Sequence, residues 1–173
     1  MRIAVLGTGI VGRTLAGKLD ELGHDVVVGT RDPDKTMASA DTDYVGNPPY
    51  STWAGEHPGV RLATFADAAS AADLVVNATS GSVSLDVLTQ AGEPNLSGKV
   101  VVDVSNPLDF AKGFPPTLFV KDDDSLAEQI QRAFPDAHVV KTLNTMTAAV
   151  MVAPASPGEQ GTVFVSGDDT GAK

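Results

Sequence analysis

"IAVLGTGIVGRTLAGKL", residues 3 to 19, decides the fold. Ile3 to Leu6 is a short apolar run of the kind found in a strand buried on both faces. Gly7, Gly9 and Gly12 follow at G-x-G-x-x-G spacing. The spacing predicts a helix over about Val11 to Leu22, with Val11, Leu15, Leu19 and Leu22 on one face. Gly23 stands where a left-handed helix cap is expected. Strand, glycine turn and helix in that order form a dinucleotide-binding fingerprint. In it the first glycine permits the tight turn and the second lets backbone approach a pyrophosphate. The third lets helix and strand pack closely. The N–H groups that open the helix face the diphosphate. On the bland reading the same glycines serve only turns and packing.

Further along, apolar β-branched runs alternate with helical patterns. The expected strands are Arg2–Leu6, Asp25–Val28, Val60–Ala63, Leu74–Ala78, Val100–Val104, His138–Leu143 and Thr162–Ser166. A second helix is expected from "DDDSLAEQIQRAF", where Ser125 and Glu128 have capping-box spacing. Pro48–Pro49 is placed to start a short helix with Tyr50 and Trp53 on one side. The alternation predicts an α/β, Rossmann-type doubly wound domain over residues 1–173, its mostly parallel sheet covered by helices on both faces. Two Pro/Gly-bearing stretches, 41–59 and 106–119, read as loops that border a ligand crevice or simply pack.

The stretch "VVVGTRDPDK", residues 26 to 35, bears on the cofactor. Folds of this kind usually end the second strand on Asp or Glu, which holds the adenosine ribose. Here Thr30, Arg31 and Lys35 stand instead. A guanidinium matches the oxygens of a 2′-phosphate, so NADP(H) is expected over NAD(H). Two alternatives remain open. Arg31 and Lys35 are solvated charges paired with Asp32 or Asp34, or a turned backbone offers Asp32 to the ribose.

Charge and composition exclude several classes. The 173 residues carry a net charge of −10, which argues against non-specific nucleic-acid binding. There is no cysteine, and the three histidines have no metal-ligand spacing. No apolar run suits a signal peptide or membrane span, so no membrane partner is expected and a cytoplasmic location is the default. No nucleophile, metal site or acid–base pair stands out, so no catalytic side chain is assigned. Asp103 reads as a structural strand-end carboxylate. Asn77 and Asn106 end neighbouring strands, where they either contact ribose or amide groups or satisfy local backbone. Asn144 either contacts a substrate or forms a local turn bond.

The ordered set "MRIAVLGTGIVGRTLAGKLDELGHDVVVGTRDP", "VVNATSG", "VVDVSNPLDF", "VVKTLNTM" and "VFVSGDD" resembles the NADP oxidoreductases that depend on the deazaflavin coenzyme F420. The resemblance spans nearly the whole chain. It implies reversible hydride transfer between NADP(H) and the deazaflavin, a small-molecule redox co-substrate. It puts Thr8, Gly9, Ile10 and Val11 at the pyrophosphate and Thr30, Arg31 and Lys35 at the 2′-phosphate. Thr79, Ser80 and Ala148 fall near the nicotinamide. Well-known members carry histidine where this chain has Asn144, at the deazaflavin edge, whereas related membrane ferric reductases have Asn in a similar K-x-x-N run. Asn144 therefore suits a flavin-type acceptor as well. Members also continue through a helix and a short C-terminal region that lines the substrate site and pairs subunits, which implies a homodimer. "TVFVSGDDTGAK" reads as a strand and turn lacking that continuation. The competing expectation is a non-catalytic NADP(H)-binding or sensor protein.

Overall fold

A computed structural model describes residues 1–42, 46–153 and 161–173. Its centre is a seven-stranded sheet in the order β3-β2-β1-β4-β5-β8-β9. The strands are β1 (Arg2–Leu6), β2 (Asp25–Thr30), β3 (Arg61–Thr64), β4 (Leu74–Asn77), β5 (Val100–Asp103), β8 (His138–Thr142) and β9 (Val165–Ser166). All pair in parallel except β9, which runs antiparallel to β8. The sequence order reverses between β1 and β4. In open α/β sheets a ligand crevice forms at that switch, outside the carboxyl ends of the strands.

The strands are apolar on both faces because both are covered. Ala4, Leu6, Val27, Val75, Val101 and Val139 face one layer, built from α4 (Phe65–Ala71), α5 (Ser84–Ala91), α6 (Glu93–Leu96) and α7 (Leu126–Ala133). Ile3, Val5, Val26, Val28 and Val76 face the other, with α1 (Ile10–Glu21), α3 (Tyr50–Glu56) and α8 (Ala148–Val152). Each fully buried Val or Leu contributes about 1.5–3 kcal/mol, so the alternating set along β1 and β2 anchors both layers at once.

Local rules account for the helix ends. Gly23 adopts φ 83°, and its N–H reaches the Asp20 carbonyl at 2.8 Å. Ser125 Oγ accepts from the Glu128 N–H at 3.2 Å, as the capping spacing predicts. Pro49 precedes α3, and the Tyr50 and Trp53 rings meet with centroids 5.3 Å apart.

Several details differ from the sequence expectation. Helix α1 ends at Glu21, so Leu22 lies outside the buried face and is 62% exposed. The last strand is only Val165–Ser166, and Val163 and Phe164 precede it exposed. Periodicity cannot report strand direction, so the antiparallel pairing of β9 is not legible in the sequence. The 106–119 stretch is not wholly irregular: β6 (Leu108–Asp109) and β7 (Thr117–Leu118) form a short antiparallel ribbon. A one-turn helix, α2 (Pro33–Ala38), also follows β2. Among the described residues no helix is long and apolar enough to cross a membrane.

Candidate functional site

The glycine turn joins β1 to α1 at the switch point. Gly7 has φ 118°, and a Cβ there would lie 2.8 Å from the Ala78 carbonyl oxygen. A Cβ on Gly12 would run into the Gly7 carbonyl oxygen. Packing thus demands glycine at both positions. Gly9 differs, because a Cβ there would meet no protein atom within 4 Å. The space over Gly9 is open, so a ligand rather than the fold is what a side chain there would obstruct. Gly9 also caps α1 with no side-chain bond, and the first turn holds no acidic residue. The first main-chain bond of the helix runs from the Arg13 N–H to the Gly9 carbonyl at 2.9 Å. The N–H groups ahead of it are left for a ligand, and the helix dipole favours an anion there. These residues fit a diphosphate.

On one side of the turn is a cleft of about 340 Å³ bordered by Thr8, Arg13, Thr30, Arg31, Lys35 and Tyr50. Thr30 ends β2 nearly buried, its Oγ1 2.8 Å from Thr36 Oγ1. Arg31 and Lys35 are exposed, and among the described residues neither side chain pairs with a carboxylate. Asp32 also borders this cleft, exposed. It is the N-cap of α2, with Oδ1 accepting the Lys35 N–H at 3.0 Å. Asp41 also borders this cleft, where it accepts a hydrogen bond from Ser39 Oγ at 3.1 Å.

Arg13 is a residue that the sequence reading did not single out. Its Nε donates to the Thr8 carbonyl at 2.7 Å and its Nη1 to the Pro48 carbonyl at 2.6 Å. Its guanidinium carbon lies 5.6 Å from the centroid of the Tyr50 ring, within cation–π range. One side chain thereby ties the phosphate turn to the segment ahead of α3. Its position directly after the third fingerprint glycine was the available signal. Tyr50 is 4% exposed and its hydroxyl has no hydrogen-bond partner among the described residues. Burial pushes its pKa up to about 12, with Arg13 opposing.

On the other side lies a larger cleft of about 580 Å³. Gly9, Ile10 and Val11 form its floor beside Thr79 and Ser80 from β4 and Asn106 from beyond β5. Asn144 follows β8, and Leu108, Phe110, Met146 and Met151 supply apolar walls. Among the described residues no charged side chain lines it. Ala148 opens α8 but is not part of the lining; the same helix contributes Met151. Asn106 and Asn144 are bonded to each other, by Nδ2 of Asn106 to the Asn144 carbonyl at 2.8 Å and Nδ2 of Asn144 to Asn106 Oδ1 at 3.2 Å.

Asn77 stands behind the wall instead of in it. It is fully buried, with Nδ2 donating to Asp103 Oδ1 at 2.9 Å and Ser84 Oγ at 3.0 Å. Its Oδ1 accepts from Thr79 Oγ1 at 2.7 Å. Its amide is spent on holding Thr79, which does line the cleft. Asp103 is likewise fully buried, as a structural strand-end carboxylate should be when its oxygens are bonded.

Comparison with known proteins gives this geometry a family. The model of the family described as "NADP oxidoreductase coenzyme F420-dependent" matches residues 2–107. A solved structure from Arthrobacter sp. FB24, provisionally named an F420-dependent NADP reductase, is 58% identical, with TM-score 0.93 over 99% of this chain and 76% of that one. The F420-dependent NADP reductase of Methanothermobacter marburgensis is 28% identical over 88% of this chain. The metalloreductase STEAP3 of Rattus norvegicus is 29% identical over 99% of it. The chain spans 66% and 30% of the lengths of those two relatives. An NADP-bound pyrroline carboxylate reductase of Plasmodium falciparum, 12% identical with TM-score 0.58, shares the fold. The chain belongs to the family of coenzyme F420-dependent NADP oxidoreductases.

Proposed function

We propose that this chain transfers hydride between NADP(H) and the planar ring of a deazaflavin or flavin acceptor, with coenzyme F420 the first candidate. The observation that carries this reading is the make-up of the larger cleft. It joins the phosphate turn directly, is walled by Leu108, Phe110, Met146 and Met151, and among the described residues has no charged lining side chain. A small carboxylate substrate needs a cation or several aimed N–H groups, whereas a fused ring needs apolar walls and a few neutral donors. Thr79, Ser80, Asn106 and Asn144 are such neutral groups.

In this reading Gly9, Ile10 and Val11 hold the diphosphate through backbone N–H groups. Thr30, Arg31 and Lys35 hold the 2′-phosphate, and Thr8 and Arg13 hold the turn between the two ends. Bound NADPH supplies the hydride and leaves as NADP⁺. Thr79 and Ser80 meet the nicotinamide ribose and amide. Asn106 and Asn144 fix the edge of the acceptor by hydrogen bonds, and the apolar walls exclude water. The protein's share of the rate is proximity and orientation. The proton that accompanies the hydride comes from solvent, since no acid lines the cleft among the described residues.

The test is steady-state turnover of NADPH with coenzyme F420, with FMN and with pyrroline-5-carboxylate in parallel. Consumption of NADPH with F420 or FMN, and none with the carboxylate, is expected. Preferred turnover of the carboxylate would overturn the reading. Tight NADPH binding with no turnover of any acceptor would favour an NADP(H) sensor.

A further inference from the structure

Asp103 and Lys141 are direct partners in the parallel register of β5 and β8. Lys141 Nζ donates to Asp103 Oδ2 at 2.9 Å and also to the Ser105 carbonyl oxygen. The carboxylate is fully buried, and 17% of the lysine side chain is exposed. Asp103 Oδ1 meanwhile accepts the Ser105 N–H at 3.1 Å, Ser105 Oγ at 2.7 Å and Asn77 Nδ2 at 2.9 Å. One carboxylate therefore gathers the carboxyl ends of three strands, β4, β5 and β8.

Each of those ends leads into the larger cleft. Asn77 holds Thr79, Ser105 immediately precedes Asn106, and Lys141 stands three residues before Asn144. The connections are short and constrained. Leu143 adopts φ 59°, a left-handed conformation that a leucine keeps only when its surroundings hold it there. Gly81 approaches the Asn106 carbonyl so closely that a Cβ would collide with it, so the loops after β4 and β5 also touch. A buried ion pair is by itself weak evidence of stabilisation, but a hydrophobic pair here would leave Asn77 Nδ2 and the Ser105 N–H without an acceptor. It would not hold Ser105 by both its N–H and its carbonyl.

We propose that Asp103 and Lys141 form a positioning pair, which sets the loops carrying Asn106 and Asn144 at the spacing the acceptor ring requires. This rests on the hydride-transfer reading above. Neither residue lines the cleft, so both act through the loops. The smaller cleft at the end of β2 lies across β1 from β4, β5 and β8, and the proposal expects it to be independent of the pair.

The experiment compares Lys141→Met and Lys141→Arg with the parent chain by three measurements. These are affinity for 2′,5′-ADP, amide hydrogen exchange over residues 104–106 and 143–146, and turnover with NADPH and coenzyme F420. The pair predicts unchanged 2′,5′-ADP affinity and faster exchange in both loops of Lys141→Met. It also predicts a KM for F420 raised about tenfold in Lys141→Met, with partial recovery in Lys141→Arg. Should Lys141→Met fail to fold, Asp103→Asn is read in the same way, because it keeps an oxygen for Asn77 and Ser105. Exchange that is unchanged in both loops, or a loss of 2′,5′-ADP affinity as large as the loss for F420, would overturn the proposal. Absence of turnover with both F420 and FMN in the parent chain would sink the hydride-transfer reading, while the exchange arm would still decide whether the pair orders the loops.

Discussion

Asn106 and Asn144, both lining the larger cleft, exchange hydrogen bonds in both directions, at 2.8 and 3.2 Å. The loops that leave β5 and β8 are thus stapled by two neutral amides. Sequence alone left two roles open for Asn144, a substrate contact or a turn bond. The structure gives it a partner in another loop. An amide donates and accepts with its remaining positions, so the pair can bind each other and still address a ring carbonyl. Changing Asn144 to Asp puts a negative charge beside Asn106 and into an apolar cleft. The expected result is a KM for the ring acceptor raised by about tenfold or more, with NADPH affinity little changed. Steady-state kinetics with each substrate varied in turn checks it.

Arg31 is the residue proposed to carry the cofactor choice. Its side chain has no carboxylate partner among the described residues and stands at the cleft that holds Thr30 and Lys35. Arg31→Ala should weaken NADPH binding about ten- to a hundredfold while leaving NADH binding nearly unchanged. Isothermal titration with both cofactors measures this, and equal losses would refute the 2′-phosphate role. The companion Asp32→Asn keeps a side-chain oxygen for the α2 cap, so it should keep both the fold and the NADPH preference.

The fingerprint glycines separate folding from binding. Gly12→Ala forces a Cβ onto the Gly7 carbonyl and should destabilise the domain severely. Gly9→Ala adds a methyl group to open space, so its melting temperature should match the parent chain. Its NADPH affinity should nonetheless fall by about tenfold or more, because the methyl group fills the diphosphate cradle. Loss of both stability and binding at Gly9 would show that the position serves packing.

How far the sequence carries the fold is visible in these same residues. The glycine turn, the cation-bearing end of β2, the Ser125 cap and the Pro49 helix start all rest on local chemistry, and local chemistry is what a chain displays in order. Asp103 and Lys141 lie 38 residues apart and meet only through parallel strand register. Nothing in either neighbourhood announces that contact. Arg13 stands beside the fingerprint in sequence, but its bond to the Pro48 carbonyl exists only once the segment before α3 folds back onto α1. Asn77 was readable as a strand-end polar residue, but not as one turned inward, because alternation at a strand's last position does not say which face is roofed.

Acid stability should depend on two exposed pairs. Arg2, bonded to Asp73, holds that carboxyl at about 2, and Arg132 with Gln129 holds Asp124 at about 2. Both lie below the unfolded value of about 3.9. A depressed folded pKa adds stability that is fully present above about pH 4 and is lost as pH falls towards 2. Arg132→Gln should therefore flatten the fall of melting temperature across that window relative to the parent chain. An unchanged profile would show that Asp124 titrates normally.

Tyr50 gives a test of packing. Its buried hydroxyl has no partner among the described residues, and an unsatisfied buried hydroxyl costs about 1–3 kcal/mol. Tyr50→Phe should leave stability equal or raise it while keeping the cation–π contact with Arg13. Thermal unfolding measures it; a clear loss would reveal a partner for the hydroxyl.

The most direct measurement follows the hydride itself. NADPH deuterated at the transferable C4 position is mixed with the protein and coenzyme F420, and the reduced deazaflavin is analysed by mass spectrometry. The account predicts one deuterium in the reduced deazaflavin for each NADPH oxidised. NADPH that binds tightly yet passes no label to the ring would contradict it.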